Sequence, residues 1–222
     1  MAAEFKNDKQ VKSRKRVSDH GEVFTSNREV NAMLDLVKQE TERIDSKFLE
    51  PACGTGNFLT EILRRKLTVV DSYIKNQLEW ERYAVDAISS IYGIDILPDN
   101  LNECRERLFL LFNEKYTKYF KKKCKEEFRT CVHFIINRNI LCGDALTLKN
   151  ENNQPIIFSD WRRPRNDSRI QRMDYIFEDL TPNSKQDLFN KPIISDTGTE
   201  AFIPKQVGGF PLTHFINLAD AI

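Results

Sequence analysis

Apolar and polar positions along the chain alternate between helical and extended patterns. Ser26 opens a capping box with Glu29. Val30, Met33, Leu34 and Val37 follow at i, i+3, i+4 and i+7, the apolar stripe of one helix. Lys47-Phe-Leu-Glu50 predicts a short buried strand that runs into the turn Pro51-Ala-Cys-Gly-Thr-Gly56, and Asn57 onward predicts a helix. A second helix is expected over roughly Leu78 to Ser89, then a strand at Ile91–Ile96. Pro98 opens a third helix with Leu101, Cys104, Leu108 and Leu111 on its stripe, and Lys115–Arg129 continues as a charged helical stretch. Val132–Ile136 fits a helix end or a strand, and Asn139–Cys142 fits a strand. Strands alternating with helices predict an α/β fold: a mostly parallel sheet with helices on both faces.

The pattern weakens at both ends. Residues 1–19 carry Lys6, Lys9, Lys12, Arg14, Lys15 and Arg16 among few apolar residues and predict a flexible basic arm, with order starting near His20. The main domain is expected over 20–182. Beyond Leu148 the chain turns polar and basic, with strand-like runs only at Ile156–Phe158 and Met173–Phe177. Residues 183–222 form an extension without usable periodicity.

Composition narrows the function classes. Of 222 residues, 34 are Lys or Arg and 33 Asp or Glu, so a wholly basic nucleic-acid coat is excluded while a local patch is not. No apolar run is long enough to span a bilayer, and no apolar stretch follows the basic N-terminus. The expectation is a cytoplasmic protein with no membrane contact. Cys53, Cys104, Cys124, Cys131 and Cys142 form no C-x-x-C pair, and His20, His133 and His214 are scattered. Neither a disulfide framework nor a metal site is expected.

The chemistry concentrates at three predicted strand tips. Glu50-Pro-Ala-Cys-Gly-Thr-Gly-Asn-Phe58 places Gly54 and Gly56 where backbone must approach a ligand closely. A dinucleotide fingerprint needs a third small residue where Leu59 stands, and a P-loop needs Gly-Lys-Ser/Thr, so both are disfavoured. Asp95, followed by Ile96, ends the next strand, where an acid can accept hydrogen bonds from two ribose hydroxyls. Asp144, followed by Ala145, ends a third and suits an adenine amino group. Glu50 is placed to hold a cationic group.

These segments resemble a known family. Phe48-Leu-Glu-Pro-Ala-Cys-Gly-Thr-Gly-Asn-Phe-Leu59 looks like the S-adenosylmethionine motif of adenine-N6 DNA methyltransferases of restriction–modification systems, including type I modification subunits. His20-Gly-Glu-Val-Phe-Thr25 resembles the upstream G-x-x-x-T/S-P motif, with Ser26 where Pro is common. Tyr92-Gly-Ile-Asp95 and Asn139-Ile-Leu-Cys-Gly-Asp144 match the ribose and adenine motifs. The resemblance implies a Rossmann-like methyltransferase fold and S-adenosylmethionine as cofactor. It places Phe24, Thr25, Glu50, Ala52, Cys53, Gly54, Gly56, Asn57, Phe58, Asp95, Ile96, Asp144 and Ala145 around that cofactor. The reaction implied is methyl transfer to adenine N6 in DNA, with the target base flipped from the stack.

One motif of the family is missing. Its Asn/Asp-Pro-Pro-Tyr/Phe tetrapeptide occurs nowhere in the sequence, and Met173-Asp-Tyr-Ile-Phe-Glu-Asp-Leu-Thr-Pro182 stands where it is expected. Asp179 falls in register with the catalytic polar residue. Leu180, Thr181 and Pro182 replace the rest, removing a base-stacking ring that is worth about 1–3 kcal/mol. A target-recognition domain needs on the order of 100 residues, more than the C-terminal stretch supplies. The expectation is a methyltransferase working with a specificity or complementary subunit, or else an inactive S-adenosylmethionine-binding subunit or a split enzyme. Lys115–Lys125 and Arg162–Arg165 offer cations for DNA phosphates, or else ordinary solvated faces.

Overall fold

A computed structural model describes residues 10–72, 76–180, 193–194, 200–201, 204 and 206–220. The chain begins with α1 (Arg14–His20), α2 (Asn27–Leu36) and the single turn α3 (Lys38–Thr41). β1 (Phe48–Glu50) then leads through the glycine turn to α4 (Asn57–Ser72), α5 (Gln77–Ser89), β2 (Ile91–Asp95) and α6 (Pro98–Phe120). After α7 (Glu126–Asn139) come β3 (Ile140–Cys142), β4 (Ile157–Arg162) and β5 (Arg169–Ile176). The short strands β6 (Ile193–Ile194), β7 (Glu200–Ala201), β8 (Gln206–Gly209) and β9 (Thr213–His214) close the order.

β1, β2 and β3 form a parallel sheet in that order, with Glu50 opposite Gly93 and Asp95 opposite Cys142. The register brings the C-terminal tips of all three strands to one rim. One face of this sheet carries the helices. Leu63 of α4, Ile88 of α5, Leu108 of α6 and Ile136 of α7 converge on Ile91 and Ile140 around a small gap. The capping box of Ser26 and Glu29 starts α2 as the sequence predicts, and Asn76 caps α5. Val132–Ile136 resolves as helix, because Phe128, Cys131, Val132, Ile135 and Ile136 bury one face of α7.

The expectation of a mostly parallel sheet with helices on both faces is corrected here. The second face is covered by an antiparallel sheet in which β5 pairs with β4, β8 and β9. Tyr92 projects from β2 onto it, its ring edge-to-face with Phe158 at 5.4 Å and its hydroxyl donating to Ser159 O at 2.9 Å. Trp161 Nε1 donates to Asn139 Oδ1 at 2.8 Å, and Asn139 in turn donates to Ser89 O and Ile91 O. Hydrogen-bonded polar groups thus join the two sheets without an uncompensated burial cost.

Residues 10–19 of the basic N-terminal segment include the helix α1 and are tied to the rest of the fold. Ser13 caps α1, and Arg16 bonds Asp99 at 2.6 Å and Glu22 at 2.7 Å. Residues 1–9 and the boundary expected at Pro182 lie outside the described residues. Of the cations considered for DNA contact, Lys115 pairs with Asp71, Lys125 with Glu81, Arg162 with Asp160 and Arg163 with Asp86. The Lys115–Lys125 cluster also sits at the far end of α6, a helix of 23 residues, or about 35 Å at 1.5 Å per residue. No described helix is long and apolar enough to cross a membrane.

Candidate cofactor site

The turn after β1 is shaped by two glycines in the left-handed region, Gly54 at φ +52° and Gly56 at φ +85°. At Gly56 a Cβ would fall 2.5 Å from Cys104 Sγ on α6. At Gly54 it would meet the Phe24 ring at 3.0 Å. Bare backbone therefore lets α6 press from beneath and Phe24 lie against the turn. Cys53 N–H donates to Ile94 O at 2.8 Å, extending the β1–β2 contact into the loop.

Asp95 is the hub. Its Oδ2 accepts from Gly54 N–H at 2.8 Å, and its Oδ1 accepts from Leu97 N–H at 2.8 Å. Asn100 Nδ2 approaches Oδ1 at 3.5 Å and bonds Glu22 Oε1 at 2.7 Å. Glu22 sits below its usual carboxylate range: burial pushes it up, but bonds from Arg16 and Asn100 outweigh this. The Arg16 guanidinium holds Asp99 down to about 2. The segment from Gln10 to Thr25 is thereby strapped over the β2 tip, with Phe24 N–H donating to Gln10 O at 2.8 Å.

A second anchor lies at the start of α4. Asn57 Nδ2 donates to Thr25 O at 2.9 Å, while Asn57 Oδ1 accepts from Arg107 Nη1 at 2.8 Å. The same Nη1 bonds Thr55 O at 2.6 Å. Arg107 was not legible as a site residue, because it lies mid-helix on α6 with no motif around it. Arg16, Glu22 and Asn100 were missed because their partners lie far apart in the chain: Arg16 reaches Asp99, and Glu22 bonds Asn100 across 78 residues.

Glu50, at the β1 tip, is half-buried. Burial raises its pKa, and its one bond among the described residues is from Ala52 N–H at 3.3 Å. A carboxyl so placed favours a cationic neighbour. Asp144 Oδ1 accepts from Leu146 N–H at 2.8 Å within its own turn, and Gly143 N–H bonds Asp95 O at 3.0 Å. Ile96 is 49% and Leu146 95% exposed, two apolar side chains presented at these tips. Ala145 and Phe58 pack partly buried against the core. Cys53 is buried against Cys104, and that contact together with burial holds its thiol protonated.

Among the described residues no hydrogen bond or ion pair ties Asp179 to this group. Asp179 lies in the short 3-10 turn Glu178–Leu180 that follows β5. The strand before it is paired on both sides within the antiparallel sheet. Among the described residues no cluster of His, Cys, Asp and Glu could hold a metal ion.

A family model described as "MmeI, DNA-methyltransferase domain" matches residues 23–176. The match runs from just before Phe24 to the end of β5. No curated protein and no solved structure matches the chain.

Proposed function

The chain belongs to the MmeI DNA-methyltransferase domain family of restriction–modification systems, and from that premise we propose that it binds S-adenosylmethionine and serves methyl transfer to adenine N6 in DNA together with a partner subunit. The observation that carries this reading is the shared bond of Gly54 N–H and Asp95 at adjoining strand tips, beneath the Phe24 strap. In open α/β sheets ligands sit outside the carboxyl ends of the strands.

The residues present fit that cofactor. Asp95 Oδ2 keeps a lone pair for a ribose hydroxyl after bonding Gly54 N–H. Oδ1, bonded by Leu97 N–H with Asn100 Nδ2 only at 3.5 Å, can take a second hydroxyl in place of that long contact. Glu50 offers its under-bonded carboxyl to a cationic methionine end, and the free oxygen of Asp144 can accept from an adenine amine. Ile96 and Leu146 supply apolar contact to a flat ring. The bound cofactor would supply a methyl group on a sulfonium, an electrophile that needs an aligned nucleophile. The chain's own part is to hold and orient it: Arg107 and Asn57 fix the loop, and the strap shields it from water.

A second reading is an S-adenosylmethionine-binding subunit with no transfer of its own. It is favoured by the sequence after Asp179, where Leu180, Thr181 and Pro182 replace the Pro-Pro-Tyr/Phe of the family motif. Transfer of labelled methyl to mixed-sequence DNA, with and without candidate subunits, separates the two. Tight cofactor binding with no transfer under either condition selects the second. Absence of calorimetric heat with S-adenosylmethionine or S-adenosylhomocysteine, at protein well above micromolar, defeats both.

A further inference from the structure

Among the described residues β1 ends its sheet, pairing only with β2. Phe48 N–H donates to Ser90 O at 2.9 Å on the β2 side. In a parallel ladder alternate residues bond opposite neighbours, so the N–H and C=O of Leu49 face the open side. Strands of parallel sheets are ordinarily covered, since an open edge is a template for another strand. Lys47, the charge that could guard this edge, is instead drawn onto Asp160.

Beside the edge runs a groove of about 440 Å³ lined by Leu49, Tyr92, Phe158, Tyr175, Phe177 and Leu180. Its wall is preformed. Phe158 stands edge-to-face with Tyr92 at 5.4 Å and with Phe177 at 5.0 Å, and the Tyr92 hydroxyl is tied to Ser159 O. Leu49 is 43% exposed into it. The charged residues of the lining are Lys47, Asp160 and Arg162. The two cations share the one carboxylate, with Arg162 Nε at 2.9 Å, so among the described residues of the lining one positive charge is uncompensated. Met173–Phe177, the strand-like run that leads to where the family's catalytic tetrapeptide is expected, cannot fill the place. It is committed to β5, with β4 on one side and β8 on the other.

We propose that a β-strand of a separate polypeptide adds to β1, parallel to it, with alternate apolar side chains in the groove. An acidic residue at its start meets Lys47 and Arg162. Main-chain edge and apolar wall together select a polypeptide strand: the edge supplies affinity, the groove and the charge specificity. A strand running parallel to β1 ends beside Glu50 and the glycine turn. It also reverses the strand order there, which creates the switch point at which open α/β sheets bind ligands. Only what the added strand contributes to methyl transfer rests on the cofactor reading above; the docking does not.

The test selects phage-displayed random decapeptides on the full chain and measures the synthetic winners by fluorescence anisotropy. Winners are expected to carry Asp or Glu near the N-terminus, followed by alternating apolar residues. Saturation with such a peptide slows exchange of the Leu49 amide at least tenfold. Leu49→Asp and Lys47→Ala each weaken binding at least tenfold, with melting temperature and S-adenosylmethionine affinity as in wild type. Failure to enrich any such pattern, or binding indifferent to Leu49→Asp, overturns the proposal. So does self-association in sedimentation that Leu49→Asp abolishes, which assigns the edge to a second copy. A deoxyadenosine decamer binding with the same Leu49 dependence also overturns it. Cofactor affinity measured alongside keeps the readings apart, because its absence in wild type refutes the cofactor reading alone.

Discussion

The Gly54 N–H donates to Asp95 Oδ2 at 2.8 Å, so the acid at the tip of β2 holds in place the turn that follows β1. Its other oxygen accepts from Leu97 N–H at the same distance, fixing the entry to α6. Asp95 is therefore structural before any ligand arrives, and its ligand-binding geometry is set by bonds it already makes. That preorganisation lowers the ordering cost of binding.

Asp95→Ala is expected to act twice. It removes the acceptor for two ribose hydroxyls and leaves the N–H groups of Gly54 and Leu97 without their partner. Each loss is worth about 1–3 kcal/mol. Calorimetry should show S-adenosylmethionine affinity down by at least an order of magnitude, and thermal melting should show a lowered midpoint. Asp95→Asn, which keeps one acceptor oxygen of the same shape, should fall between. Wild-type affinity in Asp95→Ala would remove this residue from the site.

Gly56→Ala should be costly, because φ +85° disfavours any side chain and the new Cβ meets Cys104 Sγ at 2.5 Å. Backbone strain of this kind costs about 1–3 kcal/mol, and overpacking adds to it. Cys104→Ala in the same chain removes the sulfur and should recover the overpacking part, leaving the backbone part. Urea unfolding of the two single variants and the double variant gives the coupling. Strict additivity would mean that the turn and α6 do not press on one another.

How much of this was legible in the sequence differs by region, for physical reasons. The segment from Glu50 to Phe58 and the acids Asp95 and Asp144 were readable, because a strand tip and its turn are contiguous in the chain. The antiparallel sheet was not. Its inward positions on β5 include Ile170, Arg172 and Asp174, all buried. Arg172 stacks on Phe210 at 3.2 Å, and Asp174 accepts from Ser159 Oγ at 2.8 Å, so the period of two is carried partly by charged residues and reads as polar loop. Whether Met173–Phe177 joins the parallel sheet or another depends on partners distant in sequence, and local pattern holds no record of them. Asn57 was expected at the cofactor loop, but its tie to Arg107 crosses 50 residues and left no trace.

Arg107→Ala should loosen the loop without touching the ligand. Thr55 O and Asn57 Oδ1 lose a charged donor, an interaction worth about 1.5–3 kcal/mol each. Cofactor affinity should drop about tenfold or more, chiefly through faster dissociation in stopped-flow, since the loop closes less firmly. Arg107→Lys, able to reach one acceptor but not both, should recover part. Unchanged dissociation in Arg107→Ala would make the contact incidental.

Lys66 gives a pH dependence whose sign runs against habit. Its ammonium is fully buried on α4, donating to Ile44 O at 3.1 Å, to Ser46 O and to Ser90 Oγ. Burial brings its pKa down to about 7, with Asp45 and Glu40 opposing that fall and Arg43 adding to it. Unfolded, it binds its proton up to about pH 10.4. Between these values the unfolded state holds more protons than the folded one, so this residue makes stability rise with pH, starting near pH 7. Buried thiols act oppositely above about pH 8.5, where unfolded cysteines ionise and Cys53 and Cys131 stay protonated in the fold. The clean window is therefore pH 7 to 8.5, read as the difference between wild type and Lys66→Met in urea unfolding. Wild type should gain stability across the window relative to the variant. Parallel curves would show that the three acceptors hold Lys66 charged throughout, with its burial fully compensated.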